Sequence, residues 1–510
     1  MSASTDESIR QGRVETTRTT RSPMVAIIPQ PLQVDSSAGG DALRLEGAVV
    51  VAGPSAAERR VAAHAAEVLT RAAGTQVTAV DSVPDGAPAI ELRLAEDAGP
   101  AGSTSPERHT LEVSGARAVL TAAEPVGLFD AVQTLRQLVT EGEQGAQVSA
   151  VVVHDAPRYA WRGLSFDVAR NFFPLDQLEL VIDVLASYKL NVLHLHLTDD
   201  QGWRIESPSR PELAKLSSDT SNSGKAGGHL SLADFRRLQD YAADRFVTIV
   251  PEIDLPGHTN AATAVYGELR ADGQRTAKYE GMEVGFSQLT YDLPATEPFL
   301  RDVLGDIAAI TDGDYVHVGG DEALTLGAEE YAKFITLLEE IVLDTGKKVI
   351  AWQEAAQADT RPETLVQYWD TRTDVAPFLA AAERGSRFIM SPGNHAYLDM
   401  KYTAEYPLGQ DWAGLIELRT AYDWDPATII PGLPADQVEG VEAAIWTETL
   451  STRDELFDML LPRLSATAEV AWTAPERKDW EDYRRRVASE AATWRREGLP
   501  FHESPQVDWS

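Results

Sequence analysis

Beyond the segment His154-Asp155-Ala156-Pro157, apolar runs of strand length alternate with amphipathic helical stretches for most of the chain. The runs are Gly163–Val168, Asn191–Leu197, Val247–Ile253, Tyr315–Val318, Lys348–Trp352, Leu365–Trp369, Arg387–Met390 and Ala443–Trp446. Between them lie the helical patterns Leu175–Tyr188, Leu232–Arg245, Pro298–Ile310, Glu329–Asp344 and Val375–Arg384. Strand–helix alternation demands parallel pairing, because each return to the sheet needs a crossover. About eight such units in roughly 300 residues predict a (β/α)8 TIM barrel of the α/β class. Two helices, Asp454–Trp472 and Trp480–Gly498, are expected to close the chain.

Residues 25–156 read differently. Strand-like runs Ala48–Ala52, Ala89–Leu94, Thr110–Val113 and Val148–Val153 surround helical stretches at Ala56–Ala73 and Leu128–Val139. This predicts a smaller α+β domain ahead of the barrel, free of clustered chemistry and serving as scaffold. Residues 1–24 are too polar to offset the entropy of ordering, so a disordered tail is expected there. The catalytic barrel with its closing helices then occupies residues 157–510.

Composition narrows the chemistry. The 510 residues contain no cysteine, which excludes disulfides, thiolate metal sites and cysteine nucleophiles. Lys and Arg total 45 against 79 Asp and Glu, a net charge of −34. Such a surface repels phosphate backbones and anionic lipids, so neither nucleic acid nor a membrane is expected as partner. No apolar run approaches the ~18 residues of a membrane span, and Met1 to Pro23 has no apolar core of a signal peptide. The expectation is a cytoplasmic protein.

In a barrel of this type, chemistry gathers where strands end and loops begin. The strand ends carry Ala169-Arg170, Thr198-Asp199-Asp200, Glu252-Ile253-Asp254, Gly319-Gly320-Asp321-Glu322, Trp352-Gln353-Glu354, Trp369-Asp370 and Trp446-Thr447-Glu448. Every one supplies a carboxylate, a tryptophan or an arginine. Carboxylates among tryptophans point to an enzyme acting on sugars, because aromatic faces stack on sugar C–H surfaces.

His317-Val318-Gly319-Gly320-Asp321-Glu322-Ala323 places two adjacent acids after two glycines. Mutual repulsion favours keeping one protonated, as a general acid requires; a solvated turn opening a helix is the bland alternative. Neighbouring carboxylates do not suit the paired-carboxylate glycosidases, whose acids flank the scissile bond ~5–5.5 or ~6.5–9.5 Å apart. On an extended segment the two would point to different sides, which suits a nucleophile supplied by the substrate. His194-Leu195-His196 places two imidazoles on one face of a strand. That is either a metal pair, as in a metal-dependent TIM-barrel hydrolase, or two hydrogen-bonded core histidines.

Taken together, these residues resemble the β-N-acetylhexosaminidases of glycoside hydrolase family 20, particularly actinobacterial ones. The matching stretches are Asp167 to Phe173, His194 to Trp203, Pro251 to Thr259, His317 to Ala323, Tyr397 to Tyr402 and Trp446 to Leu450. The resemblance implies a retaining exo-glycosidase that releases terminal β-linked N-acetylglucosamine or N-acetylgalactosamine by substrate-assisted catalysis. Glu322 would be the acid and then the base. Asp321 would hold the acetamido N–H while the acetamido oxygen attacks C1, giving an oxazolinium intermediate.

The resemblance further gives Tyr397 the acetamido oxygen, and Trp352, Trp369 and Trp446 the acetamido methyl. Arg170 and Glu448, joined by Asp399 and Trp412, would bind the ring hydroxyls. Asp199 and His258 would be linked to Glu322, with Asp200 as the alternative to Asp199. The implied partner is a carbohydrate: chitobiose, a chito-oligosaccharide or a glycan terminus. No cofactor and no metal are expected. Asn171 stands where the family commonly has histidine, and Gln353-Glu354 fits no pattern with an assigned role. The rival readings are a metal-dependent hydrolase using His194 and His196, and a catalytically silent sugar-binding protein.

Overall fold

The computed structural model describes residues 25–37 and 39–509, so the tail expected over residues 1–24 lies outside the described residues. Eight strands close into a barrel: β1 Trp161–Asp167, β2 Val192–His196, β3 Thr248–Glu252, β4 Tyr315–His317, β5 Lys348–Trp352, β6 Leu365–Tyr368, β7 Arg387–Met390 and β8 Val438–Ile445. All pairs are parallel, and β8 returns to β1 with Phe166 beside Ile445. Every residue of β1 and β2 is buried. A strand with the barrel interior on one side and a helix on the other requires this.

The helices α1 Leu175–Ser187, α2 Leu232–Ala243, α3 Thr296–Ile310, α4 Ala328–Asp344 and α5 Ala376–Arg384 supply the outer layer. Local chemistry sets their starts. At α2, Ser231 accepts the Asp234 N–H while the Asp234 carboxylate takes the Ser231 N–H, so two orphan donors are satisfied reciprocally. After β5 a short 3-10 turn, Gln353–Gln357, stands in place of a full helix and leads straight towards β6.

The N-terminal domain is a mixed seven-stranded sheet on which the helices Ala56–Ala73 and Pro125–Gln137 pack. Two expectations differ here. The single run Val148–Val153 is two strands: Gly145–Val148 belongs to a small three-stranded sheet, and Val151–Asp155 to the main one. The exposed Ser149 marks the break. The strand Arg117–Ala122 went unmarked in the sequence because two of its three buried positions are alanine. At the other end of the chain, the helix expected over Asp454–Trp472 is two helices, Arg453–Leu460 and Arg463–Trp472. Pro462 separates them, since a proline lacks the N–H and its ring collides with the preceding turn.

Buried ion pairs join the two domains. Asp155 accepts from the Lys189 ammonium (2.9 Å), the Trp472 indole (2.9 Å) and the backbone N–H groups of Ala156 (2.9 Å) and Leu32 (3.1 Å). Arg162 pairs with Glu107. Arg162 and Lys189 stand near the starts of β1 and β2, so this seam lies at the opposite end of the barrel from the loops that follow the strands.

Candidate active site

Those loops bring most of the expected residues together. At the end of β1, Asp167 Oδ1 accepts the N–H groups of Ala169 (2.8 Å) and Arg170 (3.1 Å), which turns the chain sharply and sends Arg170 inwards. Its other oxygen takes the Thr447 N–H (2.9 Å) and hydroxyl (3.0 Å), tying the first strand end to the last. Arg170 then lies 2.7 Å from Asp199 and over the Trp446 ring, 4.9 Å from its centroid.

Asp199 is also the carboxylate that meets His258, at 3.1 Å from Nδ1. Asp200 faces away, towards Ser287 and the Asn260 N–H. The other His258 nitrogen, Nε2, lies 3.4 Å from Glu322 and 3.7 Å from Asp321. A chain of charge thus runs Arg170–Asp199–His258–Glu322. Burial opposes ionisation of Asp199, but Arg170, His258 and His196 outweigh it and hold the carboxyl well below its ordinary range. Burial likewise works against a charged His258, and Asp199, Asp254 and Asp321 reverse it, so the ring stays protonated.

The backbone at the two acids differs from the expected extended segment. Glu322 has φ 47°, His258 φ 53° and Gly319 φ 73°. Left-handed backbone at a residue with a side chain costs of order 1–3 kcal/mol and persists only where its surroundings enforce it. Here it turns the second acid so that both carboxyls converge on one imidazole nitrogen. At Gly319 a side chain is ruled out twice, by φ and because a Cβ would lie 1.8 Å from Asp254 Oδ1. Asp321 is buried, and its carboxyl is pushed up to about 6, first by that burial and further by the Glu322 charge, with His258 pulling the other way.

Beside the acids is a cavity of about 240 Å³. Asp321, Glu322, Arg170, Arg372 and Glu448 supply its charged lining, and Trp369, Tyr397, Trp412 and Trp446 its aromatic walls. Trp369 and Tyr397 stack nearly parallel (12°, centroids 6.2 Å apart), and Trp412 stands edge-on to both at 5.7 Å. Trp352 and Asp399 are placed beneath this lining. The Trp352 ring packs 5.9 Å from Trp446 and its indole donates to Glu252 at 2.7 Å. Asp399 is 1 % exposed, and neither carboxyl oxygen has a hydrogen-bond partner of normal geometry among the described residues. Burial, reinforced by Glu448, pushes its carboxyl well above the usual range.

Comparison with known proteins now gives this geometry a family. The profile described as glycosyl hydrolase family 20, catalytic domain, matches residues 159–330 and 326–475, and family 20, domain 2, matches residues 24–156. The chain belongs to glycoside hydrolase family 20. It is 51 % identical over 489 residues to a β-N-acetylhexosaminidase of Cellulomonas fimi, covering 96 % of this chain and 98 % of that one. Among solved structures it is similar to the β-N-acetylhexosaminidase of Streptomyces coelicolor A3(2), with 42 % identity, TM-score 0.90 and coverage of 96 % and 99 %. The Streptomyces plicatus N-acetyl-β-hexosaminidase, solved with Thio-NAglucal and, as a variant, with the product GlcNAc, matches with the same identity and TM-score over 96 % of this chain and 98 % of that one.

In this family 20 chain, His194 and His196 lie between carboxylates. His194 is 2.9 Å from Glu442 and 3.0 Å from Glu252, while His196 is 2.7 Å from Glu252 and 2.8 Å from Asp199. His194, Glu252 and His317 bring ligand-type atoms within 4.8 Å of one another, but Glu252 is already engaged by both histidines and the Trp352 indole. His194 thus bonds Glu442, and His196 bonds Glu252 and Asp199, the arrangement of two hydrogen-bonded buried histidines. Asn171 bonds the Thr447 carbonyl (2.7 Å) and the Ser223 hydroxyl (2.6 Å). Met282, Val284, Arg372 and Gln410 also line the cavity and were missed in the sequence. Met282, Val284 and Gln410 stand on long excursions after β3 and β7, where no strand-end pattern marks them.

Proposed function

We propose that this family 20 glycoside hydrolase removes single terminal β-linked N-acetylhexosamine residues from a carbohydrate, with the substrate's acetamido group as nucleophile. The observation that carries the reading is the setting of Asp321: a buried carboxyl whose Oδ1 has no hydrogen-bond partner among the described residues, beside a box of Trp369, Tyr397 and Trp446. An acceptor for one N–H next to an apolar enclosure is complementary to an acetamide. The cavity, smaller than the ~300–1,000 Å³ typical of drug-sized ligands, suits one sugar ring rather than a chain.

In this mechanism Asp321 accepts the acetamido N–H, which pushes electron density towards the acetamido oxygen and holds it under C1. Tyr397 donates to that oxygen. As C1–oxygen bond formation proceeds, Glu322 protonates the glycosidic oxygen and the aglycone departs, leaving a bicyclic oxazolinium. The Glu322 carboxylate then takes a proton from water, which opens the ring from the face the aglycone left, so configuration is retained. The tethered nucleophile gains the effective concentration of an intramolecular reaction. Protonated His258, backed by Asp199, sits 3.4 Å from Glu322 and keeps a positive charge beside the acid. Arg170, Glu448 and Asp399 are the groups available to the ring hydroxyls.

The test is hydrolysis of 4-nitrophenyl β-N-acetylglucosaminide, its galacto epimer and the plain β-glucoside, each with and without chelator. Cleavage of acetamido sugars only, indifferent to chelator, is the expected result. Equal cleavage of the plain glucoside would require a protein nucleophile, and loss with chelator would bring back the metal-dependent reading.

A further inference from the structure

Gln353-Glu354, the dipeptide for which the sequence offers no role, reaches across to the end of the next strand. Gln353 Oε1 accepts the backbone N–H groups of both Trp369 and Asp370, each at 2.8 Å, and its amide donates to the Asp370 carbonyl (3.3 Å) and the Thr373 hydroxyl (3.2 Å). Glu354 Oε2 accepts the Trp369 indole N–H at 3.2 Å. One residue therefore fixes the backbone of Trp369 and the next fixes its ring. Neither lines the cavity, whereas Trp369 does.

We propose that Glu354 is a positioning residue: through the Trp369 indole it sets the wall that closes the acetamido pocket, and so limits which N-acyl group the enzyme accepts. This rests on the reading of Trp369 as a wall of that pocket. Trp369 is 8 % exposed, so its N–H, without Glu354, would be left with a desolvated donor and a reason to rotate. On the cavity side the ring meets Tyr397 in a stack and Trp412 edge-on, contacts without the direction of a hydrogen bond. A wall free to rotate would widen the enclosure around the acyl group and loosen the geometry in which the acetamido oxygen meets C1.

Glu354 performs this as a neutral acid. Burial pushes its carboxyl up to about 8 and the Asp321 charge adds to that, while the Trp369 bond opposes it. The groups around it are Asp321 and Glu322 after β4, Tyr331 on α4 and Tyr397 after β7. A neutral acceptor at this point keeps a third negative charge away from Asp321 and Glu322, and an amide can imitate it.

The experiment compares 4-nitrophenyl N-acetyl- and N-propionyl-β-glucosaminides with the full-length wild type, Glu354→Gln, Glu354→Leu and Trp369→Phe, with melting curves alongside. Glu354→Leu should lower kcat/KM for the acetyl substrate roughly tenfold, the scale of one lost buried hydrogen bond. It should also shrink the acetyl-to-propionyl preference several-fold. Glu354→Gln should keep both within about threefold of wild type, since the amide oxygen still accepts. Trp369→Phe removes the donor but keeps most of the ring, and should relax acyl preference like Glu354→Leu, whether or not the leucine variant folds. The double variant Glu354→Leu/Trp369→Phe should lose no more than the worse single one.

Unchanged acyl preference in well-folded Glu354→Leu or in Trp369→Phe overturns the proposal, as does a double variant whose losses multiply. A wild type that cleaves both acyl substrates equally overturns the pocket reading itself, a result distinct from those.

Discussion

Asp155 and Asp399 are equally hidden from solvent, at 0 % and 1 % exposed, and could hardly be treated more differently. Asp155, in the seam between the domains, receives four donors, among them the Lys189 ammonium. Asp399, under the cavity, has no partner of normal geometry among the described residues. Both are buried carboxylates; the protein completes Asp155 with donors and leaves Asp399 open among the described residues. Asp321 Oδ1, Glu448 Oε2 and Arg170 Nε repeat the pattern at the mouth among the described residues. A buried polar group left open costs free energy in the unliganded fold, and the place where several such groups gather is where the substrate supplies the missing partners.

The largest expected effect sharpens the mouth side of this contrast. Glu322→Gln should lower kcat on a poor leaving group ~10²–10⁴-fold, with little change in melting, while an activated aryl leaving group recovers most of the glycosylation rate. Steady-state and burst kinetics on both classes check this, and intact turnover on the poor leaving group sinks the assignment. On the seam side, Asp155→Ala strands Lys189 and should destabilise by ~3–5 kcal/mol in denaturant unfolding, with kcat of the folded fraction unchanged. A large fall in kcat without a loss of stability would break the division between the two regions.

Asp399→Asn should do the reverse. The folded-state pKa of Asp399 lies above its unfolded value, so its ionisation costs stability as pH rises through the folded pKa. At neutral pH the amide removes that cost, and melting should hold or rise, while KM for the acetamido sugar rises roughly tenfold through loss of a hydrogen bond to a ring hydroxyl. A drop in melting temperature would show that Asp399 is paired after all.

The smallest effect is in pH dependence. Asp321 must accept an N–H, so kcat/KM should fall as pH drops through about 6 and its carboxylate is protonated. Once the acetamide is bound, its N–H favours the carboxylate, so the acid limb of kcat should lie at lower pH than that of kcat/KM. The two limbs coinciding would detach Asp321 from the acetamide.

Much of this was legible in the sequence because barrel strands and amphipathic helices declare themselves by periodicity. β5 and β7 begin and end where their apolar runs do, and the residues after each strand end are the ones found at the mouth. What was not legible depends on contacts distant in the chain. Val148–Val153 reads as one apolar run although its two halves pair with different sheets. The convergence of Asp321 and Glu322 on His258 depends on left-handed backbone that no pattern of side chains announces. Trp352 looked like its neighbours at strand ends, yet its indole is drawn inwards by Glu252, a partner from two strands away. Asp167, in a stretch quoted for its resemblance, had no foreseeable role, since its partner Thr447 lies 280 positions on.

That link between Asp167 and Thr447, together with Arg170 over Trp446, joins the first barrel strand to the last. Six of the eight strands must be laid down between them, so the pocket has no existence as a local motif. During synthesis every acid of the site except Glu448 emerges before β8 is complete, and the pocket is not assembled until β8 lies beside β1. Turnover therefore depends on ring closure, because the two sides of the pocket come from the two ends of the barrel's strand sequence.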